Sequence, residues 1–429
     1  MRVLLLAGPV PFRRHGVPGV IAANIVSGAL MASLRDREYA MGLQIMFDPS
    51  RKDERLRPEE EEELRYWETQ GITVLPPIFL SSIAPAGVPS RFRTARLFDP
   101  DTARRFFYPA VQLQPLLRER IREAGAERLL TIWNTDALAA TRGLGVPTVA
   151  YHGDLGFQPG LLQLKDWRLF SGRRPRLQDA AIHRLRFMAR RACELKLLKE
   201  VEVLAHITAC NAAHYAAEGH PRSVYVGNTW VEPAAMPPRP TADPARPFTI
   251  IGHMGALNRT ASTYGLAFLL REFLPALEHE LGDHPFTVQV IGGEEPMPSL
   301  RPLMRHPRVV HRGFVPDLDS EIVGADCVCL FNNAGPLLAA FTRHLVTWSL
   351  GGCLAVHDRS KLALPEVEPG VNVIGGADGP SIARHVAEVL RNPARQKSIR
   401  TGGMTTFHSH FTPSIIAGKL SPLLESAAL

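Results

Sequence analysis

No stretch of the 429 residues approaches the ~20 consecutive apolar residues that cross a bilayer, so the sequence predicts no membrane-spanning helix. The apolar opening is interrupted by Pro9, Pro11, Arg13 and Arg14, too soon for a secretory signal, and reads as a buried first strand. Cysteine is scarce. The five residues Cys193, Cys210, Cys327, Cys329 and Cys353 form no paired framework. Cys327 and Cys329 alternate along an apolar run, which puts both on one face of a strand and fits neither a zinc knuckle nor a CxxC redox pair. Reduced, buried thiols in a cytoplasmic protein are the expectation. Also missing are the GxSxG elbow, the phosphate-binding P-loop and the HExxH zinc helix. No aromatics interleave with basic residues as in nucleic-acid modules, so no nucleic-acid partner is expected.

What is present fits a soluble globular chain: 45% hydrophobic and 21% charged residues, with 34 glycines and 36 prolines spread through loops without a period. The length exceeds one ordinary core, which predicts two domains. The net charge of +7 is unevenly placed, with Arg173, Arg174, Arg176, Arg184, Arg186, Arg190 and Arg191 crowded into residues 165–199. Such a run is either a solvated helix face or a contact for anionic lipid head groups or a phosphorylated acceptor.

Apolar periodicity alternates between strand and helix throughout. The first half reads as a strand over 2–7, a loop bearing Gly8, Gly16 and Gly19, and a helix over 21–35. Further strands are expected at 41–47, 72–75, 128–133, 148–151, 206–210 and 224–226, separated by helices at 58–69, 109–124 and 212–218. Residues 232–247 contain Pro233, Pro237, Pro238, Pro240, Pro244 and Pro247, which marks a linker. The pattern then restarts: strands at 248–251, 287–291, 309–312, 326–331, 353–356 and 371–373, with helices at 265–279, 341–350 and 381–391. Alternation of this kind implies parallel sheets covered by helices on both faces.

The second half resembles the donor-binding domain of GT-B glycosyltransferases, in particular the retaining family 4 type. The resemblance rests on an ordered series of short segments: Gly252-His253-Met254-Gly255-Ala256-Leu257-Asn258-Arg259, Val290-Ile291-Gly292-Gly293, Gly313-Phe314-Val315-Pro316-Asp317, Arg343-His344-Leu345-Val346 through Gly351-Gly352, and Leu364-Pro365-Glu366-Val367. The first half resembles the acceptor domain more loosely, through Gly19, His152-Gly153 and Tyr225-Val226-Gly227-Asn228-Thr229. The resemblance implies an α/β protein of two Rossmann-like doubly wound domains facing across a cleft. Its parts are an acceptor domain over 1–231, a proline-rich hinge over 232–247 that closes the cleft, a donor domain over 248–400, and a segment over 401–429 whose helix crosses back to the first domain. The implied activity is transfer of a sugar from a UDP- or GDP-sugar, with retention, to an unidentified glycan, lipid-linked or small-molecule acceptor.

Breaking a sugar–diphosphate bond puts negative charge on the leaving phosphate, which a catalyst must stabilise more in the transition state than in the ground state. The resemblance gives that role to Arg259 and Arg343, with Thr342 and backbone amides as further donors. It places His152 near the reacting sugar, with Asp154 either orienting it, serving as base or simply capping a turn. Gly255, Asn258, Gly292 and Gly293 would line the donor phosphates and sugar, Gly16 and Gly19 would open space for the acceptor or the donor phosphates or simply allow a tight turn, and Phe314 and Val315 would line the base; core packing is the other reading of Phe314. No metal or other cofactor is implied: Asp317-Leu318-Asp319 spells DxD, but reads as the cap of a helix starting near Asp319. The sequence departs from the family at two glutamates, replaced by Ala339 and Val346, the second of which would hold the ribose. Those losses keep open a second reading, a GT-B binding or scaffold protein that has lost donor chemistry. A soluble cytoplasmic protein, peripheral to the membrane at most, is expected.

Overall fold

In a computed structural model the described residues are 1–13, 20–47, 51, 53–82, 97, 99–153, 156–172, 176–239, 246–339 and 342–427. Gly16, Gly19 and Asp154 lie outside them. The chain divides into two compact units: Met1–Phe157 with Leu177–Val231 and Pro413–Leu429, and Gln158–Arg176 with Glu232–Thr412.

The first unit is built on β1 (Arg2–Ala7), β2 (Ala40–Phe47), β3 (Thr73–Val74), β4 (Ile78–Phe79), β5 (Arg128–Ile132), β6 (Thr148–His152), β7 (Val203–His206) and β8 (Ser223–Tyr225). They form a parallel sheet of order β3-β2-β1-β5-β6-β7-β8, with β4 pairing β2. Its central strands are buried along nearly their whole length and mostly apolar, as expected of strands covered on both faces. Leu4, Leu6 and Leu129 pack under Leu117 and Ile121 of the helix Gln114–Ala124. The final helix, Pro413–Ser426, packs on Ala22–Arg35. It is fastened by Tyr39 donating to Glu425 (2.7 Å), Arg128 to the Leu424 carbonyl (3.0 Å) and Lys419 to the Val226 carbonyl (3.0 Å).

The second unit carries β9 (Phe248–Met254), β10 (Phe286–Ile291), β11 (Val309–Gly313), β12 (Cys327–Leu330) and β13 (Leu354–Val356), again all parallel, in the order β11-β10-β9-β12-β13. Ile250, Val288, Val290, Phe273 and Leu277 centre its core. Cys327 and Cys329 face the same side with sulfurs 4.0 Å apart, and all five cysteines are free thiols. Of the proline-rich stretch, Arg239 is tied to this unit by bonds to the Val323 and Gly351 carbonyls (2.9 and 2.8 Å).

Four elements differ from the sequence reading. The strand expected at 206–210 ends at His206, because Thr208 turns the chain and caps the helix Ala209–Ala217 through the Asn211 amide. The turn expected at 252–255 is strand as far as Met254, with a register shift against β10 that skips Gly252. The helix expected over 265–279 begins at Thr260 and passes through a π-helical turn at Leu269–Phe273 before resuming at Leu274–Leu281. The strand expected at 371–373 is reduced to isolated bridges. A helix at Pro393–His410 was not anticipated: its weak periodicity, with Gly402 and Gly403 in the middle, carries no amphipathic signal.

Candidate functional site

In open parallel sheets, ligands bind beyond the carboxyl ends of the strands where the strand order reverses. In the second unit that point lies between β9 and β12, and it collects most of the residues singled out from sequence. Gly255 follows β9 directly and has a φ of +100°, which only glycine adopts without strain. A β-carbon there would lie 2.7 Å from Arg343 Nη2 and 2.9 Å from Cζ, so the guanidinium occupies the space that glycine leaves. Arg343 sits in the first turn of the helix Thr342–Ser349, where the positive helix end adds to its charge. Burial lowers its pKa to about 10, with Glu294 acting in the opposite direction, so it remains cationic at neutral pH.

Gly292 meets Gly255 edge to edge. A β-carbon on Gly292 would lie 2.2 Å from the Gly255 carbonyl oxygen, and the Gly255 amide donates to the Ile291 carbonyl (2.8 Å). Gly293 is open, with nothing within 4 Å of its β-position. Asn258 and Arg259 are exposed; Arg259 opens the helix Thr260–Phe268 as its N-terminal cap residue, its carbonyl accepting from the Thr263 amide (2.8 Å) and hydroxyl (3.0 Å). Phe314 is 70% exposed, which rules out core packing, and Val315 beside it is half-buried. Asp317 does cap a helix, Leu318–Gly324: its carboxylate accepts from the Ser320 amide (3.0 Å) and hydroxyl (2.6 Å).

Sequence reasoning missed two groups at this edge. His253, the penultimate residue of β9, is 2% exposed, and its Nε2 has no hydrogen-bond partner. Burial, then the neighbouring Arg343 charge, push its pKa well down, so it is neutral. Asn332, just past β12, is 1% exposed with neither side-chain polar atom bonded, beside the close approach of Gly265. Unbonded buried amides are rare and call for a partner. The signal was present in Asn332-Asn333, two polar residues ending the apolar run of β12. Asn333 is fully bonded instead. Its side-chain amide donates to the Ala339 carbonyl (2.9 Å) and accepts from the Ala339 amide (2.7 Å), fixing the loop before the helix. Ala339 is fully buried and Val346 nearly so, so no carboxylate stands at either position.

The first unit presents a different edge. His152 ends β6, in register with His206 on β7. It is 3% exposed, edge-on to His206 and Tyr215 with ring centres 5.7 Å away in both cases, and its Nε2 is unbonded. Burial lowers His152 to about 4, and burial followed by the neighbouring histidines lowers His206 to about 2; both are neutral. The loop after His152 is held by Asn211, which donates to the Gly153 carbonyl (3.1 Å), and by Glu194, which accepts from the Gly156 amide (3.2 Å). Glu194 is 1% exposed and also accepts from the Tyr215 (3.2 Å) and Tyr108 (3.4 Å) hydroxyls; burial raises its pKa. Trp133, at this sheet's own reversal point after β5, holds a φ of +49°, rare for a bulky residue, and stacks on Tyr151.

No family model matches the chain, and no curated protein sequence does. Solved structures do. Sucrose-phosphate synthase from Thermosynechococcus elongatus superposes with a TM-score of 0.60 over 100% of both chains, at 14% identity. This is the GT-B glycosyltransferase fold. HepE from Anabaena, determined with UDP and glucose, matches at a TM-score of 0.53 and 12% identity over 99% of each chain. The lipopolysaccharide outer core galactosyltransferase WaaB matches at 0.56 and 12%, over 99% of this chain and 100% of its own. Identities this low establish the GT-B architecture for the chain and leave its chemistry to its own residues.

Proposed function

We propose that the chain transfers a glycosyl group from a UDP- or GDP-sugar to a glycan, lipid-linked or small-molecule acceptor, with retention of configuration as in the family 4 enzymes it resembles. The observation that carries the reading is the Arg343 guanidinium seated over Gly255 at the strand-order reversal of the second unit. A fixed cation, a helix start and two glycine-lined strand ends make a seat for a diphosphate whose charge grows as the sugar departs. Arg259, exposed on the neighbouring helix start, supplies a second cation, and Asn258 and Thr342 further polar contacts. The exposed Phe314 and half-buried Val315 offer an apolar surface for the base, and the β-position of Gly293 is open. The two arginines meet the phosphate charge without a resident metal.

His152 serves as a neutral hydrogen-bonding group for the reacting sugar, the role that the family resemblance gives it. That HepE was determined with UDP and glucose, and with UDP-glucose, supports a nucleotide-sugar donor here. The test is a thermal-shift series with UDP, GDP, ADP and TDP and their sugars. One nucleotide at ~100 times its dissociation constant should stabilise the protein by about 2.7 kcal/mol. Stabilisation by none would turn the reading to a GT-B scaffold, the alternative favoured by the apolar Ala339 and Val346.

A further inference from the structure

The net positive charge of this protein is concentrated in one segment of the sequence. Residues 165–199 hold eleven lysines and arginines against three aspartates and glutamates, a formal +8, so the rest of the chain carries −1 against a total of +7. Most of that segment is one long helix, Leu177–Lys199, whose inner face buries Ala189, Glu194, Leu197 and Leu198 in the first unit.

The outer face is unusual. Leu177 is 90% exposed, Met188 50% and Leu185 41%: three of the ten large apolar side chains exposed among the described residues stand on this single helix. Ala181 and Ala192 are exposed as well. Positions 177, 181, 185, 188 and 192 are spaced by four, four, three and four residues, which stacks them in one stripe along the helix. Arg184 and Lys196 are exposed on the margins of that stripe, and Lys199 at its end. A solvated helix face would carry polar residues where this one carries leucine and methionine.

We propose that the outer face of Leu177–Lys199 docks on the surface of a bilayer containing anionic lipid. Leu177, Leu185 and Met188 would enter the boundary between head groups and acyl chains, and Arg184, Lys196 and Lys199 would lie among the lipid phosphates. Apolar side chains on one arc with cations at its edges are the composition an interfacial helix needs. A second copy of this chain is the other candidate, but two such faces would set the cations Arg184, Lys196 and Lys199 against the same cations, whereas an anionic membrane complements the charge. The proposal is independent of sugar transfer: docking stands or falls whether or not a nucleotide binds.

The experiment is co-sedimentation of the full chain with large unilamellar vesicles of phosphatidylcholine alone or with about a third phosphatidylglycerol, at 0.1 and 0.5 M NaCl, with sedimentation velocity of the free protein. The expected result is partition onto the anionic vesicles only, weakened several-fold by the higher salt, and lost at least tenfold in L185E/M188E. Both positions are on the surface, and an unchanged melting temperature verifies that the variant folds. Absence of partition onto anionic vesicles overturns the proposal, as does partition that L185E/M188E leaves intact. A dimer in sedimentation velocity that the same variant dissolves also overturns it, assigning the face to a second copy.

Discussion

The two carboxyl edges are built from the same topology and opposite electrostatics. In the second unit a glycine yields its side-chain space to the Arg343 guanidinium, and the buried His253 is held neutral in part by that charge. In the first unit the strand ends carry His152 and His206, both neutral and packed around Tyr215, with the loop tied to the buried carboxyl of Glu194, beside which Arg190 stands. One edge presents a buried guanidinium over a glycine, the other two neutral imidazoles beside a buried carboxyl. A doubly wound sheet supplies only the location; the residues at the strand ends decide the chemistry.

The sharpest way to break the comparison is at the glycines. Gly292→Ala drives a methyl group into the Gly255 carbonyl and should cost about 3 kcal/mol in denaturant unfolding, an overpacking penalty. Gly293→Ala, with nothing nearby, should stay within about 0.5 kcal/mol; equal effects would show that the edge is not closely packed. Next in size, Arg343→Ala should remove the roughly 2.7 kcal/mol stabilisation by a saturating nucleotide, and Arg343→Lys should keep part of it. His152→Gln, on the neutral edge, should leave nucleotide binding unchanged; a loss as large as that of Arg343→Ala would erase the distinction between the two edges.

A pH titration separates them further. His152 and His206 have folded pKa values below the ordinary 6.5, so the unfolded chain takes up protons first. The stability they allow is complete above pH 6.5 and is lost as the pH falls below it. At pH 5 the loss is about 2 kcal/mol per histidine, since one pKa unit is worth about 1.4 kcal/mol. Glu194, with its pKa raised, acts in the opposite sense and gains stability as the pH falls. Melting temperatures from pH 7.5 to 4.5 should therefore fall, and His152→Gln should flatten the slope by close to one proton. The smallest effect is expected of Phe314→Ala: under about 0.5 kcal/mol in stability for an exposed ring, but a several-fold weaker nucleotide-dependent shift.

Much of the architecture was legible in the sequence because burial on both faces leaves apolar runs of strand length between amphipathic helices. Val3–Leu6, Leu129–Ile132 and Cys327–Leu330 are such runs, and Asp317 announced its helix as a capping residue should. The helix Pro393–His410 was not legible. Its Gly403 is needed because Trp348 Cδ1 stands 2.4 Å from where a β-carbon would be, a constraint imposed by a residue 55 positions away. Glu194 was hidden for a similar reason. Within an arginine-rich helix it looks like one more surface charge, and only packing shows it sealed beneath Tyr108 and Tyr215 with the Gly156 amide.

The sequence by itself determined the fold class, the restart of the pattern after the proline-rich stretch, and the residue types near each strand end, since these follow from local periodicity and turn chemistry. Only the tertiary structure decided which of those residues meet. That Arg343 fills the space above Gly255, 88 residues earlier, that Asn332 is buried without a bond, that Phe314 stands in solvent, and that Leu177, Leu185 and Met188 face outward are outcomes of packing. Packing depends on contacts between residues far apart in the chain, and no local pattern encodes them.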